Sequence, residues 1–125
     1  MSRHVCLIFC SSDRLTLNDA KTVLEKDGLS IESCDNKLIC FRDASPKFAI
    51  KLNKKEEVQT HAKALGEEYP NYRSRLKNCD ACFEISFADL SEVLDEVNTL
   101  IDIQIVLQDA AEGIVFTSWN GIIEV

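Results

Sequence analysis

Proline and glycine are scarce in this 125-residue chain, with two of the first and four of the second. Disordered and low-complexity segments run the other way, so the composition speaks for a folded chain. The glycines (Gly28, Gly66, Gly113 and Gly121) are scattered, which leaves no Gly-rich loop to cradle a phosphate. Long apolar runs are missing too. The N-terminal one, residues 5–9, is five residues long, whereas a secretory leader needs about 7–15 apolar residues and a membrane span ~20. A cytoplasmic protein with no membrane association is expected. Internal repeats at solenoid periods are also absent.

The most uneven absence is that of positive charge. All 14 basic residues lie within residues 1–79, together with 11 of the 21 acidic ones, a local net of +3. Residues 80–125 hold the other 10 acidic groups and no Lys or Arg, a local net of −10 within an overall −7. This balance disfavours direct binding of nucleic acid, although Lys47, Lys51, Lys54, Lys55, Arg73, Arg75 and Lys77 form a basic patch in the sequence.

What is present is apolar material. At 46% hydrophobic residues the chain can build a core of its own, at the length of one typical domain. Residues 3–9 read as a strand apolar enough for the centre of a sheet. Thr16, with Asp19 three residues on, opens a helix that Gly28 closes. Strands follow at 29–33 and 37–42 around the turn-forming pair Asp35-Asn36. In 47–52, Phe48, Ile50 and Leu52 alternate with Lys47, Ala49 and Lys51, the pattern of a sheet with one wet face.

Residues 53–56 fit a capping box, with Asn53 as cap, for a helix through Val58, Ala62 and Leu65 that stops before Pro70. A short extended piece is predicted at 72–77, and a strand at 82–87 with Phe83, Ile85 and Phe87 on one face. Asp89 caps a third helix whose apolar stripe is Leu90, Val93, Leu94, Val97 and Ile101. From 102 to 109 the alternation suits a strand, yet no turn residue interrupts the helix, so its continuation to about Ala111 is favoured. A strand at 114–119 turns at Asn120-Gly121 into a last one at 122–125. The prediction is one α+β domain spanning 1–125. It is a two-layer structure with a mixed or antiparallel sheet and about three helices packed on it.

Six cysteines (Cys6, Cys10, Cys34, Cys40, Cys79 and Cys82) are expected to be free thiols, since a cytosolic chain keeps them reduced and this one has no need of staples. Cys79-Asp-Ala-Cys82 leads into a strand, whereas a redox pair wants its first sulfur at a helix N-terminus, where the dipole stabilises a thiolate. Zinc needs a second close pair, and Cys6/Cys10 is a poor one. His4 and His61 are the only histidines; the first sits beside a strand, and the second is placed for a surface ion pair with Glu57 one turn earlier. No catalytic group, cofactor or metal is therefore assigned.

The third helix is different. Glu92, Asp95, Glu96, Thr99 and Asp102 are predicted to share one face, opposite the apolar stripe. A helix built for stability alone would interleave Lys among those acids. Glu92, Asp95, Glu96 and Asp102, with Trp119 as an aromatic contact residue, are the candidate partner-binding residues. The partner expected is a basic protein. A non-enzymatic inhibitor, such as an immunity protein or antitoxin that covers a basic toxin domain, is the most concrete form. A small regulatory or ligand-binding domain acting as a homo-oligomer is the alternative.

Overall fold

A strand with apolar residues at every position has no wet side, and the first strand decides the architecture for that reason. The computed structural model describes residues 5–123. Strand β1 (Val5–Cys10) sends Cys6, Ile8 and Cys10 into one core and Leu7 and Phe9 into another. Six more strands build the sheet around it: β2 (Ser30–Cys34), β3 (Lys37–Phe41), β4 (Phe48–Asn53), β5 (Ala81–Ser86), β6 (Ile114–Thr117) and β7 (Gly121–Ile123). All seven form one sheet in the order β2-β3-β4-β5-β1-β6-β7, with every neighbouring pair antiparallel. The α+β class with an antiparallel sheet is as the sequence predicts. His4, and the ends of the first and last predicted strands, lie outside the described residues.

Helix α1 (Leu17–Lys26) begins with the predicted capping box. Thr16 accepts from the Asp19 N–H at 3.0 Å, and Asp19 accepts from the Thr16 N–H at 3.2 Å. Gly28 ends it at φ +91°, a conformation that glycine reaches without Cβ strain. Helix α5 (Asn98–Ala111) lies on the same side of the sheet and packs against α1. Ala20 and Leu24 of α1 and Leu100, Ile103 and Leu107 of α5 share the larger core with Phe48, Ile50, Phe83 and Ile85.

Helix α2 (Glu56–Glu68) covers part of the other side. Its Val58, Ala62 and Leu65 meet Leu7, Phe9, Cys82 and Ile114 there. Helices therefore lie on both sides of the sheet, and among the described residues none of β2 or β3 joins the smaller core under α2. The cap of α2 departs from the predicted box. The N-cap residue is Lys55, which has no side-chain cap. Asn53 stays in β4, accepting from the Lys55 N–H and donating to Glu57 and Glu84, each at 2.9 Å.

Two predictions of local structure are corrected. The extended piece at 72–77 is instead a 3₁₀ turn (Pro70–Tyr72) followed by a short helix α3 (Arg73–Leu76). Leu76, 1% exposed, anchors it in the smaller core. The third predicted helix is two helices, α4 (Leu90–Asp95) and α5. Asp89 caps α4 by accepting from the Ser91 and Glu92 N–H groups. The chain then leaves the helical region at Glu96 (φ −133°, ψ 70°). Glu92 stands three and four residues from Asp95 and Glu96 with no basic residue between, and such like-charge pairs weaken a helix. Residues 102–109 are helical, as favoured, not a strand.

Candidate functional site

The break at Glu96 re-phases α5 against α4, and the single acidic face is corrected as a result. Glu92 and Asp95 are exposed on α4. Glu96 is half-buried in the break and accepts a hydrogen bond from Thr99 Oγ1 at 2.7 Å. Thr99 is 1% exposed and lies inside. Asp102 is half-buried on α5 and bound by Arg42 Nη1 at 2.5 Å. Arg42 also faces the Asp27 carboxylate at 3.6 Å. Donating this hydrogen bond to the Asp102 carboxylate raises the pKa of the Arg42 guanidinium above its already high ordinary value. Of the four acids, Glu92 and Asp95 are exposed with no ion pair among the described residues, while Glu96 and Asp102 are held by Thr99 and Arg42.

The apolar stripe is re-phased in the same way. Val93 is buried, but Leu94 is 49% and Ile101 37% exposed, and Ile105 is 45% exposed. Ile101 and Ile105 are one turn apart on the outer side of α5, followed on that side by exposed Asp109 and Glu112. Glu112 pairs with Arg14 across the surface. The outer surface of α4 and α5 thus carries three exposed large apolar side chains among acids. Residues 80–125 add no positive charge to it. The sequence puts Ile101 in the apolar core stripe, and offers the whole segment 101–107 as an interface only in the homo-oligomer alternative. Reading 98–111 as a helix of its own, with Leu100, Ile103, Leu107 and Ala111 inward, would have put Ile101 and Ile105 outside.

Trp119 sits in the turn between β6 and β7, half-buried and edge-to-face with Phe87 at 5.6 Å, which in turn meets Phe48 at 5.8 Å. It closes an aromatic row at the end of the larger core. Gly121, at φ +72°, opens β7, and a Cβ there would run into the Tyr69 hydroxyl.

Five of the six cysteines are buried and Cys34 is exposed. Burial pushes the thiols of Cys6 and Cys79 up to about 11 and those of Cys10 and Cys40 up to about 12. Cys82 is raised well above the ordinary range, again mainly by burial. At neutral pH these are protonated thiols and poor nucleophiles. Among the described residues no group of three or more His, Cys, Asp or Glu could hold a metal ion. His61 makes no ion pair with Glu57 among the described residues. Its ring packs edge-on against Phe9 at 5.3 Å and Phe116 at 5.9 Å. The small pocket beside it, about 330 Å³, holds Glu57 and Glu84, both tied to the Asn53 amide.

A larger groove of about 700 Å³ lies between α2 and α3. Lys63, Arg73 and Lys77 line it. Of the predicted basic patch, Arg73 and Lys77 belong here, and Lys63 is a member that the sequence reading missed. Lys47 sits elsewhere, over the Phe41 ring at 5.3 Å. Among the described residues no helix is long and apolar enough to cross a membrane. The chain has no significant match among protein-family models, curated proteins or solved structures.

Proposed function

We propose that this protein is a non-enzymatic partner-binding protein and that the outer surface of α4 and α5 engages a basic protein. The observation that carries the reading is that Ile101 and Ile105 on α5 and Leu94 on α4 are exposed, on helices that also expose Glu92, Asp95 and Asp109. Apolar anchors beside a predominance of acidic charge are how a docking surface combines affinity with electrostatic steering. The concrete form is an inhibitor of the immunity-protein or antitoxin type. A toxin domain that acts on nucleic acid presents a basic surface to phosphates, and a small acidic protein competes for that surface.

The test starts from a partner captured on the wild-type protein in extracts of its native host at low salt and released at high salt. Association of that purified partner is then compared for two variants. Glu92→Gln/Asp95→Asn/Asp109→Asn should slow association and flatten its dependence on salt, since steering charges act on the encounter rate. Ile101→Ser/Ile105→Ser should instead speed dissociation. Unchanged rates in both variants would reject this surface. A second reading, self-association through the same apolar pair, rests on Ile101 and Ile105 standing one turn apart on an uncovered helix face. Sedimentation of wild-type protein as a dimer that Ile101→Ser/Ile105→Ser dissociates would favour it.

A further inference from the structure

The second feature that stands apart from this surface is the groove between α2 and α3, on the opposite side of the sheet. Gly66 permits the close approach of the two helices, since a Cβ there would lie 3.3 Å from the Arg73 Cα. Gln59 and Lys63, one turn apart on α2, form one wall, and Arg73 and Lys77, four residues apart, form the other. Lys63, Arg73 and Lys77 are exposed, and none has an acidic partner within 4.0 Å among the described residues; the ion pairs there are those of Arg14 and Arg42.

Two acids also line the groove, Glu67 and Asp80. The Asp80 carboxylate is already engaged, accepting from the Ser12 N–H at 2.6 Å and from Ser12 Oγ at 2.9 Å. Two further cations influence residues of the groove wall. Lys54 is within electrostatic reach of Asp80, and Arg75 within reach of Cys79. A chain of net charge −7 thus gathers unpaired cations around one concavity of about 700 Å³. Against Lys63, Arg73 and Lys77 the groove wall sets Glu67 and the already engaged Asp80, so an anion from outside is attracted there.

We infer that this groove binds a small phosphate-bearing molecule with at least two negative charges. An Arg fork matches phosphate oxygens two at a time, and the two lysines add point charges from the facing wall and from the end of α3. The volume falls within the ~300–1,000 Å³ of small-molecule sites. The overall negative charge disfavours a long polyanion, whose distant phosphates meet the acidic remainder of the molecule. No bond is made or broken in this role; the chemistry is recognition.

The probe is inorganic pyrophosphate, titrated into isotopically labelled protein at fixed ionic strength while backbone amide shifts are followed. Saturable shifts confined to residues 59–67 and 73–80 are expected. Arg73→Gln/Lys77→Gln should weaken the affinity about tenfold or more, the loss of charge-assisted contacts, while Lys21→Gln/Lys26→Gln on α1 should not. Both substituted positions of the first pair are exposed. If that pair nevertheless unfolds the protein, Lys63→Gln alone carries the same comparison. The inference is overturned by shifts that sodium chloride reproduces, by no shift up to about 10 mM pyrophosphate, a ceiling typical of weak but specific sites, or by equal affinity in the variants. A twelve-nucleotide uridine oligonucleotide bound more tightly than pyrophosphate would overturn the small-molecule assignment.

Discussion

Ile105→Lys separates the proposed surface from the fold on which it stands. Full burial of an Ile side chain is worth about 1.5–3 kcal/mol. Ile105 is 45% exposed, so somewhat more than half of that, roughly 1–1.5 kcal/mol, is at stake. Lysine recovers part of it. Its methylene stem covers the same apolar neighbours, its helix propensity is higher by a few tenths of a kcal/mol, and Asp102 and Asp109 lie three residues before and four after it. Each such pairing adds ~0.2–0.5 kcal/mol. The expected net loss is below about 1 kcal/mol. Ile103→Ala, two residues away and fully buried, should cost ~2–5 kcal/mol. Urea unfolding of both variants and the wild type, at two protein concentrations, measures these differences. A loss above ~2 kcal/mol for Ile105→Lys, or a wild-type midpoint that rises with concentration, would refute the reasoning. It would mean that Ile105 is covered by a second copy in solution.

Gly113→Ala should destabilise by about 1–3 kcal/mol through overpacking, because its Cβ would lie 2.8 Å from both Ile8 Cγ2 and the Phe9 carbonyl oxygen; a thermal midpoint equal to wild type would contradict the close approach. Gly28, which has nothing within 4 Å of such a Cβ but sits at φ +91°, should tolerate Asn better than Ala, as thermal midpoints of the two variants will tell. In native protein a disulfide reagent should modify Cys34 rapidly and the five buried thiols only as fast as the structure opens, with all six reacting after denaturation. Cys79 labelling at the rate of Cys34 would show that its burial is wrong. The backbone and hydroxyl hydrogen bonds from Ser12 lower the Asp80 carboxyl below its ordinary 3.8. Its folded value is depressed, so its stabilisation is present above the unfolded value and disappears as pH falls through the folded one. Asp80→Asn should therefore narrow the stability difference between pH 6 and pH 3, read from urea midpoints at the two values.

Local signals carried far in this chain. The Thr16/Asp19 capping box, the Gly28 stop, the Asp35-Asn36 hairpin and the alternation through Phe48, Ile50 and Leu52 are all legible in the sequence, because each rests on neighbours within four residues. The failures share one cause. Asn53 looks like a cap, yet β4 holds it through its pairing with β5. Residues 72–77 are polar and look extended, yet Leu76 finds a place in the smaller core only if the chain coils there. The same holds for the candidate surface. Glu92, Asp95, Glu96 and Asp102 share a face on one ideal helix, but Arg42, sixty residues from Asp102, draws that carboxylate inward and the break at Glu96 turns the rest.

By itself the sequence determined the α+β class, the central place of β1, the elements from α1 to β4 with their bounds to about one residue, and the lack of positive charge beyond residue 79. These follow from short-range sterics and from hydrophobic periodicity, which act before any tertiary contact forms. Only the tertiary structure decided that helices cover both sides of the sheet. It also decided that Ile101 and Ile105 face outward, and that Lys63, Arg73 and Lys77 converge on one groove. Those outcomes depend on which apolar stripe wins the space against the sheet, a competition among distant residues for the same buried area.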